Sequence, residues 1–253
     1  MFSLKNKCAF VTGGSSGIGL AIVERFTAAG AKVVIADLSP PDGLEKLGAR
    51  YVAADISEED QLFAALESAQ AQIGNLDIVV NNAGIGPEEG SIRNLDMELL
   101  DKILAVNVKG VLFGLKHAPA FMNDGGSIIN TASLAASLTI PEYTGYAISK
   151  ASVVSMTRQA AVDLAARGIR VNAVCPGTTT TPMESADSDE SQLCKLLCCA
   201  GRPGLPEEQA AVFHFLASDD ASYVNAQAIY ADGGWINGLT QASLKKLLAP
   251  GSS

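Results

Sequence analysis

Short apolar runs recur along the chain at 8–12, 32–36, 50–53, 77–81, 127–131, 170–175 and 228–231, each of a length suited to a buried strand. Between them, at 17–29, 58–73, 96–122, 144–166 and 207–216, the apolar positions take up helical period. Strands rich in Val, Ile and Ala that alternate with helices across short loops predict an α/β fold. The expected architecture is one domain over 1–253, a doubly wound parallel sheet of seven strands with helices on both faces. The irregular stretch is 176–206, where PGTTTTPMESADSDES precedes the helix-like QLCKLLCCA. A long segment after a sheet strand suits a lid or specificity loop, here about 178–206.

Composition narrows the class. With 48% hydrophobic and 18% charged residues in 253, the chain can bury a full core, which excludes a disordered or fibrous protein. Lys plus Arg number 18 against 27 Asp plus Glu, and a net charge of -9 repels nucleic acid and anionic membrane surfaces. No apolar stretch approaches the roughly 18–20 residues of a membrane span. MFSLKNK leads straight into CAFVT without an apolar signal core, so a cytoplasmic protein is expected. The five cysteines make an odd count that fits reduced thiols. Cys194, Cys198 and Cys199 lie close together with no histidine nearby in sequence, so they read as small apolar residues of an amphipathic helix, and no metal site is expected.

The first predicted strand runs into Thr12-Gly13-Gly14-Ser15-Ser16-Gly17-Ile18-Gly19 and the helix that follows. Glycines let backbone approach a pyrophosphate, and free N–H groups at a helix start hold its charge. The spacing is GxxxGxG, which also suits a plain tight turn. The second strand ends at Asp37, about 20 residues beyond the last glycine, where a carboxylate accepts from an adenosine ribose and repels a 2'-phosphate. The other reading of Asp37 is a loop cap. Neither Ser15 nor Ser16 supplies a cation for that phosphate, so the pattern favours NAD over NADP. Asp55 and Ile56 end the third strand, where Asp55 suits the adenine amino group. Ala83 and Gly84, after the fourth, would let backbone lie against a cofactor. Asn81 and Asn82, taken singly, read as turn formers.

A second group of residues carries reactive chemistry. Tyr146 and Lys150 stand four apart at the start of a helical pattern and so share one face. A nearby ammonium lowers a phenol's pKa from near 10 and makes it a usable base. Alone, such a pair is equally at home on a surface. Ser133 follows the strand at 127–131, where its hydroxyl can bond a substrate oxygen. Asn107, an amide among Leu104, Ala105, Val106 and Val108, needs a partner if buried and could position a water or Lys150.

TGGSSGIG, NNAG, Asn107, Ser133 and YAISK, in that order, resemble the short-chain dehydrogenase/reductase family. The likeness runs from Lys7 to about Gly234 and includes Pro176-Gly177, GRPGLPE at 201–207 and Asp232-Gly233-Gly234. It implies a Rossmann-like fold and a tetrad in which Tyr146 is the general acid/base and Lys150 lowers its pKa and holds the nicotinamide ribose. Ser133 would polarise the carbonyl, and Asn107 would hold a water linking Lys150 to a proton relay. The resemblance adds Ile18 at the phosphates, Leu38 at the ribose, Ile56 at the adenine, and Asn82 and Ala83 along the cofactor. Pro176, Gly177 and Thr178 would lie at the carboxamide. Tyr143, which lacks a lysine four residues on, reads as a pocket wall, and Ala135, Gly177 and Thr179 join it in the expected substrate site with Ser133 and Tyr146.

The expected activity is NAD(H)-dependent interconversion of a secondary alcohol and a ketone. The alternatives are a 3-oxoacyl (acyl-carrier-protein) reductase and, from another class, an NAD-sensing regulator without turnover. Glu184, Asp187, Asp189 and Glu190 either disfavour anionic carriers or form a solvated face, while Leu193, Leu196 and Leu197 could cover an apolar substrate. The resemblance also implies a homotetramer, or a dimer, through the helices carrying Asn107 and Tyr146. The extension at 239–253, with Leu244, Leu247 and Leu248, either packs on a neighbouring subunit or is a free terminus.

Overall fold

The computed structural model describes residues 2–86, 91–185 and 187–248. Seven strands, β1 (Cys8–Thr12), β2 (Lys32–Asp37), β3 (Arg50–Ala53), β4 (Leu76–Asn81), β5 (Met122–Thr131), β6 (Arg170–Pro176) and β7 (Ala228–Ala231), form one parallel sheet in the order β3-β2-β1-β4-β5-β6-β7. The chain starts in the middle at β1, builds outward to β3, and returns to the other side of β1 with β4. That reversal opens a crevice at the carboxyl ends of β1 and β4, where open α/β sheets take their ligands.

Side chains alternate across the sheet and feed two cores. Phe10, Val34, Val79, Ile128 and Val171 face one layer. It is closed by α3 (Glu59–Ile73), α5 (Val111–His117) and α6 (Thr144–Asp163). Val11, Val33, Ile35, Val80 and Ile129 face the other, closed by α1 (Gly17–Ala28) and α8 (Pro206–Ala217). β1 and β6 are buried along their whole length, which explains their unbroken apolar runs. Short helices α2 (Leu44–Leu47), α7 (Asp189–Leu197) and α9 (Gln241–Leu247) complete the described chain; α2 and α9 gave no helical signal in the sequence.

The stretch 96–122, expected as one helix, is divided. Asp96 caps α4 (Met97–Leu104) by accepting from the N–H groups of Glu98 and Leu99. A π turn, Ala105–Gly110, leads into α5, and a 3-10 turn containing Pro119 ends the run before β5 begins at Met122. β5 therefore starts five residues earlier than its apolar core suggests, because Met122 already pairs with Leu76 and the exposed Asn123, Asp124 and Gly125 carry the strand on to the next paired position at Ser127. A register shift against β4, between Leu76 and Ile78, absorbs the irregularity.

The buried asparagines inside the sheet are paired. Asn81 Nδ2 donates to Asn130 Oδ1 at 2.8 Å, and Asn130 Nδ2 donates to Thr157 Oγ1 at 2.9 Å on α6. Asn81 is thus a buried strand end, not the turn former its sequence suggested. Helix α5 approaches this network at Gly114, where a Cβ would stand 2.1 Å from Asn81 Oδ1. Gly114→Ala should therefore destabilise the protein by about 1–3 kcal/mol, the usual cost of overpacking, and lower the midpoint of a thermal melt monitored by circular dichroism.

Candidate active site

The crevice opens into a cavity of about 390 Å³. Thr12, at the end of β1, holds its mouth: Thr12 Oγ1 accepts from the N–H groups of Asn82 (2.9 Å) and Ala83 (3.1 Å) beyond β4. Asn82 Nδ2 donates to the Gly13 carbonyl at 3.1 Å, and its Oδ1 accepts from Thr131 Oγ1 at 3.1 Å at the end of β5. Three strand ends are locked together by three side chains, those of Thr12, Asn82 and Thr131. Gly13 and Gly19 are required by contact, since a Cβ on Gly13 would lie 2.6 Å from Ala83 Cα and one on Gly19 only 1.9 Å from the Gly13 carbonyl oxygen.

Of the residues expected to hold a cofactor, Gly13, Ser16, Gly17, Ile18 and Gly19 line the cavity at the start of α1. Asp37, Leu38, Asp55 and Ile56 line one end, Asn82, Ala83 and Gly84 the middle, and Tyr146, Lys150, Pro176, Gly177 and Thr178 the other. Ser15 stands apart from the lining: its N–H donates to Asp37 Oδ2 at 3.0 Å and its hydroxyl to the Ser39 carbonyl at 2.6 Å, so it braces Asp37. Leu38 N–H donates to Asp37 Oδ1 at 2.7 Å, leaving each carboxylate oxygen further lone pairs toward the cavity. Asp55 Oδ1 accepts from the backbone and hydroxyl of Ser57.

These residues fit a dinucleotide. The amino end of α1 has no side-chain cap at Ser16 and no acidic residue in its first turn, so its N–H groups and dipole face the cavity free to hold a diphosphate. The acidic acceptor at Asp37 lies at the end suited to a ribose.

At the opposite end, Ser133, Ala135, Tyr143, Tyr146, Gly177 and Thr179, all expected at the substrate, line one wall together. Ser133 lies two residues beyond β5 and begins a 3-10 turn, its Oγ accepting from Ala135 N–H at 3.1 Å. It also hydrogen-bonds Tyr146. Lys150 is 4% exposed; its ammonium donates to the Thr131 carbonyl at 3.0 Å and sits 5.6 Å from the Tyr146 ring centre. Burial lowers Lys150 to about 8, and burial raises Tyr146 to about 12 against the opposing hydrogen bond from Ser133. In this protein by itself desolvation outweighs the lowering of Tyr146 expected from its lysine neighbour.

Asn107 sits in the π turn, fully buried, and does not line the cavity. The wider turn carries a side chain whose capacity is almost wholly used. Asn107 Oδ1 accepts from Ile85 N–H (2.9 Å), and Nδ2 donates to the Ile85 carbonyl (3.0 Å) and to Ser149 Oγ (3.1 Å). Ser149 in turn donates to the Tyr146 carbonyl at 2.7 Å. Both amide protons are committed, so Asn107 braces the segment after β4 against α6, and only an Oδ1 lone pair beside Gly84 is left for a water.

The loop residues divide. Glu184 and Glu190 turn into the cavity wall, whereas Asp187 and Asp189 are exposed. Leu193, Leu196 and Leu197 do not line the cavity, because the helix they ride on turns Cys194 and Cys198 inward against Leu134 and Trp235; Met183 and Ile140 supply apolar wall instead. Cys199 is exposed, and among the described residues no three His, Cys, Asp or Glu side chains are grouped to hold a metal. Sequence reasoning passed over Thr12, Thr131, Ser149 and Met183. The first three act through bonds to partners distant in sequence or to backbone, and their only sequence signal is a hydroxyl at a strand end or on the Tyr146 helix.

A family model described as enoyl-(acyl carrier protein) reductase matches residues 13–236. The chain is 38% identical over 248 residues to 2-(R)-hydroxypropyl-CoM dehydrogenase of Xanthobacter autotrophicus, covering 91% of this chain and 98% of that one. It is 36% identical over 248 residues to 3beta-hydroxysteroid dehydrogenase 2 of Eggerthella lenta, covering 92% and 95%. A solved structure of a short chain dehydrogenase from Burkholderia cenocepacia in complex with NADP matches with a TM-score of 0.86 and 34% identity, covering 92% of this chain and 99% of that one. With the fold, the glycine turn and the Ser133, Tyr146 and Lys150 cluster, these likenesses identify the chain as a member of the short-chain dehydrogenase/reductase family, an oxidoreductase acting on CH–OH groups.

Proposed function

We propose that the protein interconverts a secondary alcohol and a ketone with NAD(H). The observation that carries this reading is the convergence of Ser133, Tyr146 and Lys150 on one wall of a cavity whose other end is a diphosphate cradle. Ser133 and Tyr146 hold the substrate oxygen between their hydroxyls. In oxidation Tyr146 Oη, as phenolate, takes the alcohol proton; in reduction it returns that proton. Lys150, pinned by the Thr131 carbonyl, holds positive charge beside the Tyr146 ring and would hold the nicotinamide ribose of the bound cofactor. The bound nicotinamide supplies the hydride acceptor or donor. Thr178 Oγ1 already donates its proton to Glu190 at 2.7 Å, so toward a carboxamide it acts as an acceptor.

The choice of NAD rests on Asp37. Ser15 and Leu38 fix its carboxylate at the end of β2, which suits two ribose hydroxyls and opposes a 2'-phosphate. A Burkholderia cenocepacia relative was solved with NADP, so the discriminating test is a comparison of initial rates with the two dinucleotides. The assembly we propose is a homotetramer. Exposed Leu112 on α5 and Ile148 and Val162 on α6 offer an apolar face for it. Among the described residues no helix is long and apolar enough to cross a membrane, which agrees with a cytoplasmic site of action.

Two substitutions test the reading. Tyr146→Phe should reduce turnover of a secondary alcohol by at least about 100-fold, the scale of general acid–base catalysis, while NADH still binds by fluorescence titration. Wild-type rates would remove Tyr146 from the chemistry. Asp37→Ala should raise kcat/KM with NADP relative to NAD, and an unchanged ratio of the two would take the ribose role away from Asp37.

A further inference from the structure

Glu190 stands in the first turn of α7 and joins three elements through one carboxylate. Glu190 Oε2 accepts from Tyr143 Oη at 2.5 Å, and Oε1 accepts from Thr178 Oγ1 at 2.7 Å. Tyr143 lies at the start of the helix that carries Tyr146, and the two rings meet edge to face at 6.2 Å between centres. Thr178 follows β6 at the expected carboxamide position. Burial, and then the bond to Glu190, push the Tyr143 phenol upward, so it keeps the proton it donates.

Among the described residues no Lys, Arg or His forms an ion pair with this carboxylate. Lys150 is the single Lys, Arg or His in the cavity lining, and it lies behind Tyr146 on the Thr131 carbonyl. Glu184, whose Oε1 accepts from Ser188 Oγ, adds a second carboxylate to the same wall. The field of Glu190 reaches the reacting hydroxyl, where it raises the Tyr146 phenol.

We infer that Glu190 is the specificity-determining residue of the substrate pocket: it latches α7 across the site through Tyr143 and Thr178 and sets a fixed negative charge that admits neutral or cationic secondary alcohols and rejects anionic ones. This rests on the secondary-alcohol reading above. A unit charge several ångströms from another, at an effective dielectric near 20, changes affinity by roughly ten- to hundred-fold. The acidic character is therefore large enough to decide between substrates of one carbon frame.

The test is a matched set on one ring: cyclohexanol, 4-hydroxycyclohexanecarboxylate and 4-aminocyclohexanol, oxidised with NAD and with NADP. The wild-type enzyme should prefer the neutral and cationic alcohols over the carboxylate by about tenfold or more in kcat/KM. Glu190→Gln keeps the side chain's length and removes the charge; its Oε1 can still accept from one of the two hydroxyls while its Nε2 donates to the oxygen of the other. It should raise the carboxylate-to-neutral ratio and lower the ammonium-to-neutral ratio. It should also move the alkaline rise of cyclohexanol oxidation to lower pH, because Tyr146 ionises more readily without the facing charge. Glu190→Ala, which removes the latch as well, should in addition raise KM for all three alcohols. NADH titration and a thermal melt of each variant show that the fold is kept. Ratios and pH profile unchanged in Glu190→Gln would overturn the inference and leave the secondary-alcohol reading standing. A wild-type enzyme that oxidises none of the three with either dinucleotide would overturn both.

Discussion

The arrangement of the site depends on one buried ammonium. Lys150 lies almost wholly out of water, and among the described residues it forms no ion pair; a backbone carbonyl at the end of β5 is its hydrogen-bond acceptor. Taking such a group from water costs several kcal/mol, so the structure around it must be rigid enough to make the remaining contacts count. That rigidity comes from Asn107 and Ser149, which bind the segment after β4 to the backbone of α6 one turn from Lys150. Gly84 supplies the space, since a Cβ there would stand 3.3 Å from the ammonium.

Geometry at the strand ends follows from the sheet order. The reversal between β1 and β4 leaves a crevice that would gape unless its lips were tied. Thr12 and Asn82 tie them with side-chain bonds to backbone, which keeps the cradle polar and shaped without adding charge. The π turn has a related role on the helical side. By widening one turn in the middle of the run from α4 to α5, it brings a polar amide to a place where a regular helix packed on the sheet would present only apolar residues.

Much of this was written in the sequence. Three strands, β1, β3 and β7, have the bounds their apolar runs imply, because each run is set between Gly, Asp or Asn turns. Ser133, Tyr146 and Lys150 were singled out through motifs whose order resembles one family, and the fold brings the three to one cavity, while Asn107 lies behind its wall. The division of 96–122 was not readable, since the run stays apolar and helix-forming while the hydrogen-bond pattern changes beneath it. Leu193, Leu196 and Leu197 misled for a physical reason: the inward side of α7 and of Cys198 just after it, with Leu197 packed alongside, is spent on Trp235 rather than on the cavity, a contact made across some forty residues of chain. Glu190 looked like one acid among four on a solvated face, and only the fold turns it and Glu184 inward while leaving Asp187 and Asp189 in water. Lys150 and Tyr146 were legible as a pair, yet their displacement toward neutral forms comes from burial, which spacing along a helix does not encode.

The tie made by Thr12 has a bearing on how the protein matures. Its hydroxyl receives N–H groups 70 and 71 positions further along the chain, and Lys150 finds its carbonyl only after β5 is in place. The part of the cavity wall from Asn82 to Thr178 is made only after the first two βα units, so the cavity is complete only when the later strands have joined the sheet. A ligand that binds the completed cavity withdraws that form from the folding equilibrium and so favours full closure over partly assembled states.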